Sequence, residues 1–360
     1  MEQPGLVWYK LAMSAAQPSD PTARRPAQPS AKERFAHALS LVPELAEVEA
    51  VIRSCFHSDV TAMREIPEYL LSLGGKRIRP VLTLLCSKAL GSAQISDDVL
   101  DVAAGIELIH MATLMHDDII DQSPTRRHKP SPYAKFGTAA TLLSGDFLLT
   151  RAFGLCAKLD DVIVGATEQA CIELVEGEAL ESPLHVERHT TSSSLTIAKR
   201  KTASLFRLAA FCAAHLNGAS REQQRLMGAF GESLGIAFQV IDDILDVTSD
   251  EATLGKRQGL DLFERKPSLV NVLWLESGDP VAERLLAPPL TEPSEQPWVE
   301  SALKTLASGP VVAEAKRLAR RYADDATKAL TEALGGDLTA LNPEGEALLA
   351  VVDFALERVL

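Results

Sequence analysis

Long apolar runs, aromatic side chains and paired cysteines are all scarce in this 360-residue chain, and each shortage excludes something. No uninterrupted apolar run reaches the roughly 18 residues that a membrane-spanning helix needs, so no transmembrane segment is expected. The N-terminal stretch LVWYKLAMSAA is too short and too poorly flanked for a signal peptide, and Arg24 and Arg25 leave organellar targeting only as an alternative. The five cysteines (Cys55, Cys86, Cys156, Cys171, Cys212) form no CxxC pair and lie mostly inside apolar helical runs. That usage points to buried, reduced thiols and a cytoplasmic setting. Basic residues are outnumbered, 36 Lys+Arg against 49 Asp+Glu, for a formal net charge of −13. Phosphate backbones need basic patches, so no nucleic-acid partner is expected. Strand-like alternation of apolar and polar residues is essentially missing.

What the chain has in plenty is Ala, Leu and Glu, the composition of helices. Residues 1–32 carry Pro18, Pro21, Pro26 and Pro29 among Ser, Gln and Ala, and too few large apolar groups to order themselves, which predicts a disordered tail. From Glu33 helical periodicity takes over. The run YLLSLGG stops at Gly74 and Gly75, and Pro80 suits the first turn of the next helix. Ser96 is a good N-cap, with Asp97 and Asp98 in the first turn, for a helix reaching to about Asp121. That helix is apolar nearly all round, so it should lie at the centre. Further helices are expected near 138–158, 161–180, 192–217, 221–248, 267–276, 310–334 and 344–359. Asn217-Gly218 reads as a helix C-terminus, and the Pro-rich APPLTEPSEQPW over 287–298 as a surface loop. With no repeat and no composition break after residue 32, residues 33–360 should form one all-α domain, a single large antiparallel helical bundle.

Two acidic motifs stand at the ends of apolar helices: DDIID at Asp117–Asp121 and DDILD at Asp242–Asp246. Residues i and i+4 share a helix face, so Asp117 with Asp121, and Asp242 with Asp246, can each serve one site, while Asp118 and Asp243 point aside. Surface acids would be interleaved with Lys or Arg; here they follow LIHMATLMH and GIAFQVI. Magnesium suits such carboxylates because it takes one or two of them together with water and phosphate oxygens. Matching cations occur in GGKRIRP (Lys76, Arg77, Arg79), in RRHKP (Arg126, Arg127), and at Lys201, Lys256 and Lys266. Arg126 lies just past the helix end, where it can fold back over the acids. Lys76 and Arg79 are close enough along the chain to grip one diphosphate.

The order GGKRIRP, LIHMATLMHDDIID, RRHKP, FGTAATLLSGDFLLTRAF, EGEALE, KTASLF, GIAFQVIDDILD, GKRQGLDLFERKPS resembles the trans-type polyprenyl diphosphate synthases, most of all the octaprenyl-type members. The resemblance is strong over about residues 35–280 and weak in the C-terminal helices. It implies the isoprenoid synthase fold around a deep central cavity, a homodimer, and magnesium at about three ions per site. It implies head-to-tail condensation of isopentenyl diphosphate with an allylic diphosphate such as farnesyl diphosphate, giving a medium- to long-chain product. On its terms Asp117, Asp121 and Asp242, joined by Asp246, hold magnesium. Arg126, Lys201, Lys256 and Lys266 hold the allylic diphosphate, and Lys76, Arg79, His110 and Arg127 hold isopentenyl diphosphate. Lys201, Thr202 and Gln239 lie beside the reacting allylic carbon, and Asp261 with Lys266 matches a GxDxxxxK segment. Glu181 and His128 depart from the family pattern, as do Leu260 and Phe263.

Product length should depend on the helix before DDIID. The resemblance implies that small residues at Ala112 and Thr113, where short-chain members tend to carry an aromatic, with Ile109 deeper, leave room for a long chain, and Phe153 is the candidate floor. Met111 and Met115 read as core, His116 as supporting structure, and the HVERH segment (His185, His189) as solvated surface. Alternatives are a geranylgeranyl- or farnesyl-type short-chain synthase, a class I terpene cyclase, and a non-catalytic partner subunit of a heteromeric synthase. A cyclase would carry an NSE-type second motif and need no isopentenyl diphosphate pocket; a partner subunit would have lost an aspartate motif.

Overall fold

The computed structural model describes residues 30–249, 257–290 and 292–357, so the expected tail lies, as far as residue 29, outside the described residues. The first helix, α1 (Ala31–Ser40), starts two residues before Glu33 because Ser30 and Glu33 close a capping box. Helices α2 (Leu45–Ser54) and α3 (Thr61–Ser72) follow, and Gly74 and Gly75, both at positive φ, end that run before α4 (Ile78–Ala89). Ser96 then caps α5 (Asp97–Ile120), accepting from the Val99 N–H.

Beyond α5, Thr125–Arg126 and Lys129–Pro130 make a two-residue antiparallel ladder, the sole sheet among the described residues. The helices α6 (Pro132–Phe136), α7 (Thr138–Cys156), α8 (Asp161–Leu180) and α9 (Thr191–Ala198) come next. A π-helical turn at Lys199–Ala203 leads into α10 (Ser204–Leu216), which ends at Asn217-Gly218 as the sequence predicts. The remaining helices are α11 (Arg221–Thr248), α12 (Leu260–Glu264), α13 (Leu269–Glu276), α14 (Glu292–Ala307), α15 (Pro310–Ala333) and α16 (Pro343–Glu357). The all-α expectation is met.

Two expectations are corrected. The stretch 192–217 is not one α-helix but two, joined by the π turn. The Pro-rich 287–298 segment is a surface loop only at its start, because α14 begins at Glu292 and continues through Pro297. Pro297 removes one helical hydrogen bond, but Val299, Ala302 and Leu306 are at most 1% exposed, and burying that face outweighs the loss.

Helix α5 is the centre of the bundle. Val102, Ala103, Ile106, Leu108, Ile109, Met111, Ala112 and Met115 are at most 1% exposed, and α5 packs on α2, α4, α7 and α10. By length and composition it is the one described helix able to cross a membrane, although charged residues interrupt it; 72% of its apolar window is buried within the protein. Helix α11 joins two apolar clusters. Leu226, Met227, Phe230 and Leu234 belong to the larger one, and Val240, Ile241, Ile244 and Val247 to a second built with α13, α14 and α15. Gly231 and Gly235 let α11 approach the chain before it. A Cβ would lie 2.3 Å from the Phe206 carbonyl oxygen at Gly231, and 2.5 Å from the Ala203 Cα at Gly235. That contact brings the π turn beside α11.

All five cysteines are free, and four are buried. Burial raises the Cys86 and Cys212 thiols and, with a smaller push from Cys156, holds Cys171 up at about 11. These thiols are inert side chains of the core.

Candidate active site

A cavity of about 1450 Å³ opens where the C-terminal halves of α5 and α8, the π turn, α11 and the 263–266 segment meet. Asp117, Asp121 and Asp242 line it, as do Arg126, Arg127, Lys201, Thr202, Gln239, Lys266, Lys76, Arg79, His110 and Thr113. Thirteen sequence-predicted residues are thus brought together from six separate stretches of chain. Lys256 lies outside the described residues.

Helix spacing places Asp117 and Asp121 on the cavity side of α5, and the neighbouring Asp118 inward. Asp118 is fully buried and accepts from Arg126 Nε (2.9 Å) and Nη2 (2.6 Å). Burial raises its carboxyl; Arg126 works against that rise. The second aspartate of DDIID therefore holds an arginine at the cavity. Burial, helped by Glu178 and Asp121 and opposed by Lys201 and Arg126, lifts the Asp117 carboxyl to about 7.

The DDILD motif divides its work similarly. Asp242 lines the cavity, whereas Asp243 is buried and closes a hydrogen-bonded chain. Thr202 Oγ1 donates to Gln239 Oε1 (2.6 Å), Gln239 Nε2 donates to Asp243 Oδ1 (2.9 Å), and the Leu269 N–H donates to Asp243 Oδ2 (2.8 Å). Burial, then the Asp261 charge, pushes Asp243 well above the usual carboxylate range. Asp246, expected on the same face as Asp242, does not reach the cavity. It is fully buried, its side chain accepts from the Asp261 N–H (3.1 Å), and its carbonyl accepts from Gly259 (2.8 Å). The chain folds back over the helix end there and covers it.

Two lysines lie among acids. Lys201 Nζ is 2.7 Å from Glu178 and 2.6 Å from Glu181. Burial alone would lower the Lys201 ammonium, but Glu181, Asp117 and Glu178 together raise it. The π turn presents Lys201 here, and Gly177 on α8 permits the approach, since a Cβ would lie 2.7 Å from the Lys201 nitrogen. Lys266 Nζ pairs with Asp121 (2.9 Å) and Glu264 (3.4 Å), and it too is raised against burial, by Glu181, Asp121, Glu264 and Asp261.

A second charged group sits at the start of α4. Arg77 pairs with the buried Glu107 at 3.1 Å, and Arg77 and Arg127 both hold positive φ, at 48° and 52°. Gly75 leaves them space, because a Cβ there would lie 2.9 Å from Arg127 Nη1. Burial, then Arg79, Arg126, Arg127 and Arg77, keep His110 well below its usual range and therefore neutral. Arg79 stacks over Phe206 at 5.0 Å, its Nε is buried without a hydrogen-bond partner among the described residues, and burial lowers its guanidinium. Lys76 sits 4.7 Å over the Phe354 ring. A multivalent anion is the natural complement of such a group.

Among the described residues, no group of three His, Cys, Asp or Glu side chains converges closely enough to hold a metal ion by itself. Asp117, Asp121 and Asp242 nonetheless offer hard oxygen donors, and Asp117 carries a proton near neutrality that a cation would displace. The set fits a magnesium ion that takes its other ligands from water and a phosphate-bearing substrate, and fits a self-contained protein cage poorly.

Several expectations are corrected. Phe153 is 41% exposed on the outer side of α7 and is no cavity floor. Ile109 and Ala112 are fully buried and do not line the cavity, although Thr113 does. HVERH is not helical, and His189 is buried rather than solvated, its Nε2 lying 2.9 Å from the Ser182 carbonyl. Helix spacing sets Asp118 and Asp243 aside without giving them a role, and nothing in the sequence marks Glu107, Glu178 or the contacts of Glu181. The available signal was that an acid doublet in an apolar helix cannot place both carboxylates in solvent.

The chain belongs to the polyprenyl synthetase family, whose model matches residues 60–306. It is 33% identical over 320 residues to the octaprenyl diphosphate synthase of Escherichia coli (strain K12), covering 88% of this chain and 96% of that protein. It is also 33% identical over 297 residues to the geranylgeranyl diphosphate synthase of Methanosarcina mazei, covering 81% and 88%. Among solved structures it resembles a polyprenyl synthase from Caulobacter crescentus CB15 complexed with calcium and isoprenyl diphosphate. The TM-score is 0.82 at 30% identity, covering 91% of this chain and 98% of that one.

Proposed function

We propose that this chain is a magnesium-dependent prenyltransferase that condenses isopentenyl diphosphate head-to-tail with an allylic diphosphate such as farnesyl diphosphate, in trans geometry. The observation that carries this reading is one cavity with two anion-binding regions: carboxylates interleaved with Lys201 and Lys266, and the guanidinium group of Arg77, Arg79 and Arg127. Two diphosphates are what the condensation has to hold.

Asp117, Asp121 and Asp242 would hold magnesium, about three ions, together with diphosphate oxygens and water. Bound there, the metal supplies Lewis-acid stabilisation of the departing diphosphate. Arg126, Lys201 and Lys266, with Lys256 outside the described residues, neutralise that group further, and Asp246 serves by fixing the 259–261 turn. Lys76, Arg79, Arg127 and neutral His110 bind isopentenyl diphosphate. Thr202 and Gln239 flank the allylic carbon, held by Asp243. No side-chain nucleophile is required, since the alkene of the second substrate attacks the cation.

A medium- to long-chain product is supported by the octaprenyl relative and by the small Thr113 at the cavity wall. The geranylgeranyl relative at equal identity favours a short-chain product as the second reading. Residues 33–360 act as one catalytic domain. A cytoplasmic homodimer is supported by the free thiols and by exposed apolar side chains on α7 and α8, among them Leu143, Phe153 and Ile172. The test is to incubate the purified protein with magnesium, farnesyl diphosphate and labelled isopentenyl diphosphate, and to size the products. Long polyprenyl chains are expected; a single addition would favour the short-chain reading, and none would overturn the assignment.

A further inference from the structure

Arg265 is 0% exposed, and it follows α12 with φ 61° and ψ 30°, a left-handed conformation that L side chains rarely adopt. All three nitrogens of its guanidinium donate. Nη1 donates to the carbonyls of Leu262 (2.6 Å) and Phe263 (3.4 Å), Nε to the Ala287 carbonyl (3.2 Å), and Nη2 to Glu295 Oε2 (2.8 Å). Its face lies 4.6 Å from the Trp298 ring centre. Glu295 is 1% exposed, and its other oxygen accepts from the Leu290 N–H (2.6 Å) and from Arg284. The Arg265 carbonyl accepts from the Leu184 N–H (2.8 Å).

One buried ionic cluster thus ties together the end of α12, the 287–290 segment, the first turns of α14 and the chain at Leu184. None of Arg265, Glu295 and Arg284 lines the cavity, yet their neighbours Phe263, Glu264, Lys266, Pro289 and Pro183 do. Lys266 is the very next residue. Its backbone is fixed by Asp261, whose carbonyl accepts from the Lys266 N–H (2.9 Å), and by Asn271, which donates to the Lys266 carbonyl (3.0 Å). A buried ion pair is weak evidence of a contribution to stability, and apolar side chains could fill the same volume. A strained backbone carrying a buried charge directly behind a functional wall calls for another reason.

We propose that Arg265, paired with Glu295, is a positioning residue that holds Lys266 and the wall of Phe263 and Pro289 against the allylic diphosphate. It touches no substrate and acts through Lys266. The isopentenyl diphosphate group, on α4 and the turn at Arg127, does not share this anchor. The proposal rests on the prenyltransfer reading.

The experiment compares Arg265→Gly and Glu295→Gln with the wild type in steady-state kinetics for both substrates. Glycine accepts the positive φ, so Arg265→Gly isolates the guanidinium from the backbone conformation. The expected result is a rise of about 10-fold in KM for the allylic diphosphate, unchanged KM for isopentenyl diphosphate, and a retained helical spectrum. Millimolar guanidinium should partly restore Arg265→Gly and leave Glu295→Gln unaffected. If both KM values stay at wild-type levels, or rise together, Arg265 is a fold residue only and the proposal fails. Should Arg265→Gly not fold, Glu295→Gln decides by the same criterion. A wild-type protein that does not elongate would overturn the functional reading separately. Calorimetry with magnesium and inorganic diphosphate would then judge the anchor, with weaker binding in the variants expected and equal binding refuting it.

Discussion

Lys266 Nζ lies 2.9 Å from Asp121 Oδ2, joining the last carboxylate of the first aspartate motif to a cation 145 residues further along the chain. The contact sets the charge balance of the site before any substrate enters. Lys266→Gln should keep the fold and raise KM for the allylic diphosphate by about 10-fold or more, the loss of one charge-assisted hydrogen bond worth roughly 1.5–3 kcal/mol. An unchanged KM would remove Lys266 from the diphosphate's ligands.

The two aspartates of the DDIID doublet should behave oppositely. Asp118→Ala strands Arg126 beside an empty buried site and should lower stability by about 2–4 kcal/mol, read from denaturant unfolding. Asp117→Ala, at the cavity, should leave stability equal or higher and abolish turnover. Equal destabilisation by both would contradict the division of roles.

The raised Asp117 carboxyl gives a pH signature. Its ordinary value is 3.8, and in the folded, metal-free protein it is held at about 7, chiefly by burial. Between these values the folded state keeps a proton that the unfolded chain has lost, so this group's contribution to stability falls as pH rises through that window. The difference should reach roughly 1–3 kcal/mol. Thermal unfolding in chelator from about pH 4.5 to pH 8 should show the wild type losing stability relative to Asp117→Asn; parallel curves would contradict it.

Gly177 permits the π turn to touch α8. Gly177→Ala should push the Lys201 backbone away and lower kcat by about 10-fold, an effect of displaced geometry. Gly165→Ala on the same helix meets nothing within 4 Å and should be neutral. Equal activity in both variants would show that the close approach is dispensable.

Much of this was legible in the sequence for definite reasons. Ser96, Gly74 and Gly218 act locally, so the helix ends they set could be read from neighbours alone. The cavity faces of Asp117, Asp121 and Asp242 follow from helical period. What opposes a face is not written in the spacing. Asp246 has the same i+4 relation to Asp242 as Asp121 has to Asp117, yet the returning 259–261 turn covers it. The π turn at Lys199–Ala203 has no compositional mark and follows from packing against Gly177 and Gly235. Helix α14 was hidden because proline signals a loop locally, while the burial that overrides it, at Glu295 and Val299, is tertiary.

The two aspartate motifs, with magnesium, are proposed to ionise an allylic diphosphate in this cavity. The most direct measurement is incorporation of labelled isopentenyl diphosphate onto farnesyl diphosphate, by wild type, Asp117→Ala and Asp242→Ala, with magnesium and with chelator. Incorporation by the magnesium-supplied wild type alone is predicted. Incorporation that survives chelation, or loss of either aspartate, would contradict it.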